Sequence, residues 1–189
     1  VYGRSKREGE ERVAAVCARH VILRTAWVHS PFGANFVKTM LRLAGERELL
    51  RVVDDQSGSP TYAPHLAEAI VELAGALAGE EAGGRWGIYH AAGSGETTWC
   101  GLARETFARS RDLGGAVARV EAIPSSAYPT AAARPANSRL DCSRLSRDFG
   151  IALPDWRDGV AKCVARLVPN PAAGSDECRQ RDASNEVTA

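Results

Sequence analysis

The chain has 189 residues, of which 44% are hydrophobic and 25% charged, and its formal net charge is +1. That suits a folded chain with one core or a domain and a half. The balanced charge argues against a nucleic-acid partner chosen by bulk electrostatics, no run is long and apolar enough for a membrane span, and none reads as a signal peptide. Cys17, Cys100, Cys142, Cys163 and Cys178 are odd in number and widely spaced, with no C-x-x-C pair, so reduced, cytoplasmic thiols are expected. His20, His29, His65 and His90 are equally scattered and spell no metal site. The chain opens without Met on what reads as the first turn of a helix, as the downstream part of something longer would.

That helix is predicted over residues 3–20, ending at His20. Tyr2 and Lys6, four residues apart, lie one above the other on one helical face. The stripe through them continues at Gly9, Val13, Val16 and Cys17, so the pair is expected to point where the helix packs. A Lys charge beside a packed Tyr favours the phenolate and makes the hydroxyl a usable proton donor and acceptor. Taken alone, Y-x-x-x-K fits an ordinary amphipathic helix equally well. Val21-Ile22-Leu23 reads as a strand buried on both faces of a parallel sheet. Arg24 to His29 leave its carboxyl end, where doubly wound sheets place ligands. Ser30 to Gly33 form a turn, and Asn35 can cap a helix over about 36–46 with two apolar stripes, Phe36/Met40/Leu43 and Val37/Leu41/Ala44.

Leu50 to Val53 is a short strand, and Asp54 to Thr61 a polar loop dense in turn formers. A helix over 63–78 carries Leu66, Ile70, Leu73 and Leu77. Gly79 to Gly84 is a loose loop, Trp86 to His90 a strand, and 98–110 a helix with Trp99, Leu102, Ala103, Thr106 and Phe107 on one face. Val117 to Ile123 is a strand. Residues 124–141 form a Pro-punctuated loop centred on Arg134 to Ser138, with a short helix following to Phe149. Trp156, Val160, Cys163, Val164 and Leu167 mark the last helix. The polar run over 169–189 has nothing to bury and is expected to be a disordered tail.

Five blocks stand in order: Y-G-R-S-K with a following G-E, L-R-T-A-W-V, G-A-N-F-V-K-T-M-L, D-D-Q-S-G-S-P-T, and A-x-R-P-A-N-S-R-L-D. Together, from Val1 to about Val168, they resemble the dTDP-4-dehydrorhamnose reductases, a family of the extended short-chain dehydrogenase/reductases. The resemblance implies an α/β fold: the C-terminal part of a doubly wound, Rossmann-type parallel sheet with a small α/β substrate-binding lobe. Residues 1–30 and 61–90 would end the dinucleotide-binding domain, and 31–60 and 91–168 would build the nucleotide-sugar lobe. The implied reaction is reduction of the 4-keto group of a dTDP-4-dehydro-6-deoxy-L-hexose by NADPH or NADH, giving dTDP-L-rhamnose. Tyr2 would donate the proton to the C4 oxygen. Lys6 would hold the nicotinamide ribose hydroxyls, so both residues meet the cofactor.

In the family the Trp matching Trp27 faces the sugar; the competing reading is a plug in a domain seam. Asn35, with Phe36 beside it, is either a ligand of the diphosphate or a plain N-cap. Gln56, Gly58, Pro60 and Thr61 shape a nucleotide pocket through backbone groups or belong to a well-made turn ahead of a helix. Arg134, with Asn137 in the same loop, suits a diphosphate or pins that loop by an ion pair. Trp99, Trp156 and Glu96 read as core and cap. Some relatives place a metal-binding Glu where this chain has Ala63-Pro64-His65. Pro64 cannot replace it, so no metal is expected and a metal-bridged dimer gains little support, although a homodimer of a longer protein stays open. The superfamily's Gly-rich phosphate turn is missing; Gly83-Gly84 and Gly93-Ser94-Gly95 come nearest. These 189 residues alone are therefore expected to be inactive and to bind no NADPH below millimolar concentration. Two rivals are a related nucleotide-sugar reductase or epimerase, and a non-catalytic, cofactor-binding regulatory subunit.

Overall fold

A computed structural model describes residues 2–78, 84–130, 132 and 134–169. Beyond Pro169 the expected tail lies outside the described residues, as does most of the loop expected at 79–84. The elements are α1 (Tyr2–Val16), β1 (Val21–Arg24), β2 (Val28–His29), α2 (Phe36–Ala44), β3 (Leu49–Val53), β4 (Ser57–Gly58), β5 (Thr61–Tyr62) and α3 (Ala63–Ala78). Then come β6 (Gly87–His90), β7 (Thr97–Thr98), α4 (Trp99–Asp112), β8 (Arg119–Ile123), a 3-10 turn at Ser125–Ala127, β9 (Asn137–Ser138), α5 (Ser143–Phe149) and α6 (Trp156–Leu167).

The strands pair as β1–β6, β2–β5 and β3–β8, all parallel, and as a three-stranded sheet β7-β4-β9 in which only β4–β7 is antiparallel. Parallel partners need a crossover, and helices supply it. Local chemistry starts and stops those helices. Asn35 accepts from the Lys38 N–H at 3.2 Å to cap α2, and Thr98 from the Gly101 N–H at 3.0 Å to cap α4. Asp155 accepts from the Arg157 N–H at 2.8 Å to open α6. Gly150, left-handed at φ 72°, ends α5.

Three apolar clusters hold the elements together. Val37 of α2, Tyr62 of β5, Leu102 of α4 and Trp156, Val160, Cys163 and Val164 of α6 form the first. Met40, Leu50, Val52, Cys100, Ala103, Phe107 and Ala118 form the second, so α4 is a wall shared by both. Ala69 and Leu73 of α3 pack on Tyr89, Ala91, Leu145, Ile151 and Leu153 in the third.

Four expectations are corrected. α1 stops at Val16, short of His20, and contains no buried residue; its stripe is bare, with Val13 and Val16 exposed and Tyr2 76% exposed. Small and apolar residues at helical spacing describe a face able to pack, while burial requires a partner on that face. The inner line of α3 runs His65–Ala69–Leu73, leaving Ile70 exposed. The polar stretch 54–61 is no surface loop: it contains β4 and the start of β5, and Gly58 to Thr61 are buried. Asn137 and Ser138, expected in a loop, form β9 beside β4.

Candidate functional site

Trp27 stands just beyond the carboxyl end of β1 in a left-handed conformation, φ 47°, among the described residues the only non-glycine with positive φ. That costs an L-residue about 1–2 kcal/mol, and three contacts offset it. The indole stacks on Trp99 at 3.6 Å between ring centroids, 8° from parallel. Its Nε1–H donates to Ser138 Oγ at 3.0 Å, and that hydroxyl in turn donates to the Ser57 carbonyl at 3.0 Å. Gly58 lies against the ring so closely that a Cβ there would sit 2.3 Å from Trp27 Cε2. Phe36 meets the far partner, Trp99, at 4.9 Å and 46°. The result is an aromatic wall locked from the β7-β4-β9 sheet.

This sheet also collects Gln56, just ahead of β4, and Asn137 on β9, whose strand lies beside it through Ser57. Asn137 Oδ1 accepts from the backbone N–H and Nε of Arg139, at 3.0 and 2.9 Å, and Arg139 also pairs with Glu96. Arg134 is exposed and finds no hydrogen bond or ion pair among the described residues, so its guanidinium is uncommitted. Asn35 is committed: besides capping α2 it donates from Nδ2 to the Ser30 carbonyl at 2.7 Å. The structure thus gathers Trp27, Phe36, Gln56 and Asn137, and it gives Asn35 the capping role. Trp99 and Ser138 were missed as site residues, and Gly58 was considered for its backbone alone. Trp99 reads as core because it opens a helix with apolar neighbours, and Ser138 is set by strand pairing across the chain.

Tyr2 and Lys6 share the exposed face of α1, with Lys6 Nζ 5.4 Å from the Tyr2 ring centroid. Among the described residues no hydrogen bond, ion pair or ring contact links either one to the aromatic wall. The pair can meet a ribose and a reacting carbonyl from solvent, as a hydroxyl donor beside an ammonium. Nothing among the described residues forms a Gly-rich strand-to-helix turn able to receive a pyrophosphate, so the fit to a dinucleotide is to its nicotinamide-ribose end. No group of three or more His, Cys, Asp or Glu side chains able to hold a metal occurs among the described residues.

Behind the wall lies a second unforeseen feature. His29 is 2% exposed, and neither ring nitrogen finds a partner; the backbones of Trp27 and Gly159 lie near without a hydrogen bond of normal geometry. Burial holds its imidazole below the usual range. Tyr62 separates it from His65, with ring centroids 5.7 and 5.0 Å away. Burial, and then the charge of Lys162, hold His65 low as well, against the opposing pull of Asp158. Lys162 Nζ donates to His65 Nε2 at 3.1 Å, which requires a neutral ring. Scattered histidines in sequence gave no sign of this alignment.

Residues 1–168 match the model of a family described as the RmlD substrate binding domain. A dTDP-4-dehydrorhamnose reductase of Sinorhizobium fredii is 45% identical over 168 residues, covering 89% of this chain and 57% of the relative. The Escherichia coli enzyme of the same name is 42% identical over 175 residues, covering 91% and 58%. A crystal structure of dTDP-4-dehydrorhamnose reductase from Bacillus anthracis, in complex with NADP, superposes with a TM-score of 0.77 at 32% identity, covering 87% of this chain and 55% of that one. The chain therefore spans a little over half the length of the relatives it matches. Over the stretch that holds α1, the aromatic wall and all three cores, it belongs to the RmlD substrate binding domain family.

Proposed function

We propose that this chain supplies the proton-donating helix and the sugar-binding lobe of a dTDP-4-dehydrorhamnose reductase, completed by the upstream region that its relatives carry. Residues 31–60 and 91–168 form the lobe in this reading, and 1–30 and 61–90 the end of the dinucleotide-binding domain. The observation that carries it is Trp27: a strained backbone, a stacked ring and a tied indole N–H, at the strand end where α/β sheets bind ligands. Membership of a family whose relatives bear that enzyme name supports the choice of substrate.

The cofactor, NADPH or NADH, supplies hydride to C4 of the dTDP-4-dehydro-6-deoxy-L-hexose when bound. Tyr2 gives its hydroxyl proton to the C4 oxygen, so the ketone becomes an alcohol. Lys6 lies beside the Tyr2 ring, where its ammonium can hold ribose hydroxyls. The aromatic wall offers a flat apolar surface to the deoxyhexose, and the free guanidinium of Arg134 suits the diphosphate. Asn35 enters as the residue that shapes the start of α2. A reducing, cytoplasmic setting fits Cys17, Cys100, Cys142 and Cys163, all free thiols, and among the described residues no helix is long and apolar enough to cross a membrane. A homodimer of the longer protein completes the proposal, and its mass in solution tests that part.

The reaction is tested by joining these residues to the upstream region of a relative and following NADPH oxidation with the dTDP-keto sugar. Turnover that forms dTDP-L-rhamnose is expected. Absence of turnover from a folded, NADPH-binding protein overturns the reading. The 189 residues alone, titrated with NADPH in a calorimeter, are expected to show no binding below millimolar concentration.

A further inference from the structure

All three glutamates of α1 are held by arginines. Glu8 pairs with Arg12 and Glu11 with Arg7, each at 2.8 Å and each exposed. Glu10 differs. Its carboxylate accepts a two-pronged bond from Arg24 at the end of β1, with Nε to Oε1 at 2.9 Å and Nη2 to Oε2 at 2.5 Å. Its side chain is only 16% exposed, against 57% and 61% for the other two. Lys6, by contrast, meets no carboxylate and no hydrogen-bond partner among the described residues; its neighbour is the Tyr2 ring.

Spacing makes this division of partners consequential. Glu10 follows Lys6 by four residues, the separation at which oppositely charged side chains meet on a helix. Tyr2, Lys6 and Glu10 therefore form a ladder with about 40° of drift per rung. An unclaimed Glu10 would draw the Lys6 ammonium down the ladder and away from Tyr2. A guanidinium binding both carboxylate oxygens outcompetes a single ammonium for that acid. The other ionisable groups acting on Glu10 are Arg7 on α1 and His90 on β6. Arg7 is taken by Glu11, and the His90 ring lies against the Asp141 carbonyl at 3.1 Å.

We infer that Arg24 is a positioning residue that sequesters Glu10 and so keeps Lys6 available to Tyr2 and to the ribose of the cofactor. This rests on the reductase reading above and deepens it, because it assigns work to a strand residue outside both the Tyr2–Lys6 pair and the aromatic wall. An ion pair that merely anchored α1 to the sheet would have a different mutational signature. Loss of either partner would then do equal harm, and loss of both would do at least as much.

The test uses Arg24→Leu, Glu10→Gln and the double variant, in the protein completed with a relative's upstream region, with Lys6→Met as control. Arg24→Leu frees Glu10 to take Lys6, and kcat is expected to fall about two- to fivefold with a rise in KM for NADPH. Glu10→Gln is expected to stay within about twofold of the parent, because a neutral amide does not compete for the ammonium. The double variant is expected to recover to that same level. A double variant as impaired as Arg24→Leu, or an equal loss in Glu10→Gln, overturns the inference and makes the pair a plain anchor. If Lys6→Met keeps full turnover, the assignment of Lys6 falls and this inference with it; a large loss there without rescue in the double variant defeats this inference alone. A second readout needs no turnover: acetylation of Lys6 by acetic anhydride in the 189-residue chain, followed by mass spectrometry. Lys6 is expected to react more slowly in Arg24→Leu and at the parent rate in the double variant; equal rates in all three overturn the sequestration.

Discussion

α1 and α6 are both helices with apolar residues at helical spacing, yet they occupy opposite physical regimes. α6 buries Trp156, Gly159, Val160, Cys163 and Val164 against two other helices and β5, and Gly159 lies so close to Tyr62 that a Cβ would sit 2.6 Å from its Cβ. α1 buries nothing, and among the described residues the side-chain bond from it to β1 is the pair of Glu10 with Arg24. In the proposed reading chemistry and stability are thus separated along the chain: the pair proposed to donate the proton sits on the helix without buried residues, and the wall proposed for the sugar packs against the buried one and its neighbours. Removing atoms from α1 should change turnover with little effect on stability, and removing them from the cores should do the reverse.

The largest expected effect is on chemistry. In the completed protein Tyr2→Phe is expected to lower turnover about 10²–10⁴-fold, with the melting midpoint unmoved because the hydroxyl has no buried partner. Near-normal turnover would remove Tyr2 from the mechanism. Next comes Leu102→Ala in α4, where the side chain is 1% exposed. A loss of about 2–5 kcal/mol in denaturant unfolding is expected, and a loss under 1 kcal/mol would mean that the packed region tolerates cavities as α1 does. Trp27→Ala lies between the two regions. About 1–3 kcal/mol equivalent in kcat/KM is expected, with the fold retained. If stability collapses while the folded remainder keeps normal kinetics, Trp27 is a plug for the seam.

A smaller effect is tied to pH. His29 and His65 are held below the ordinary imidazole value of 6.5. The unfolded chain therefore takes up protons before the folded one does as the solution is acidified. Stability is fully present above about pH 6.5 and falls as pH drops through the depressed folded values. His29→Leu is expected to make that fall shallower, read as melting midpoint against pH; an unchanged acid slope would exclude His29 as its source. The smallest effect is expected from Val16→Ala at the end of α1, 86% exposed, which should stay within about 0.5 kcal/mol.

Legibility in the sequence followed the same division. Strand β1, helices α2, α4 and α6, the Asn35 cap and the stripe Trp156–Val160–Cys163–Val164 were readable, because repeated apolar spacing over several residues is a local signal. Strands β2, β4, β5, β7 and β9 have two residues each, too few to show alternation, and turn formers in 54–61 disguised a buried segment. Ile70 was placed on the packed face of α3 because Leu66 and Leu73 flank it, whereas small Ala69 lets the helix approach along a neighbouring line. Of the site, Trp27, Phe36, Gln56 and Asn137 were picked out as residue types, but the lock around Trp27 was not. A backbone angle, a stack with Trp99 and a bond to Ser138 all depend on distant pairing. Exposure of the Tyr2–Lys6 stripe was equally hidden, since a pattern says which face can pack and is silent on what covers it.

The hydrogen bond from Trp27 to Ser138 joins residues 111 apart in the chain, and the one from Ser138 to Ser57 spans 81. Closing such spans costs loop entropy before any contact repays it, and long-range pairing is slow for that reason. The β3–β8 pair and the second apolar cluster, from Met40 to Ala118, are complete in the chain before β9 arrives. At about 5–20 residues per second of synthesis, Trp27 leaves the ribosome on the order of ten seconds before the hydroxyl that fixes its indole. The aromatic wall then waits on β9, and a nascent chain holds both tryptophans and the second apolar cluster while still lacking the bond that fixes the Trp27 indole.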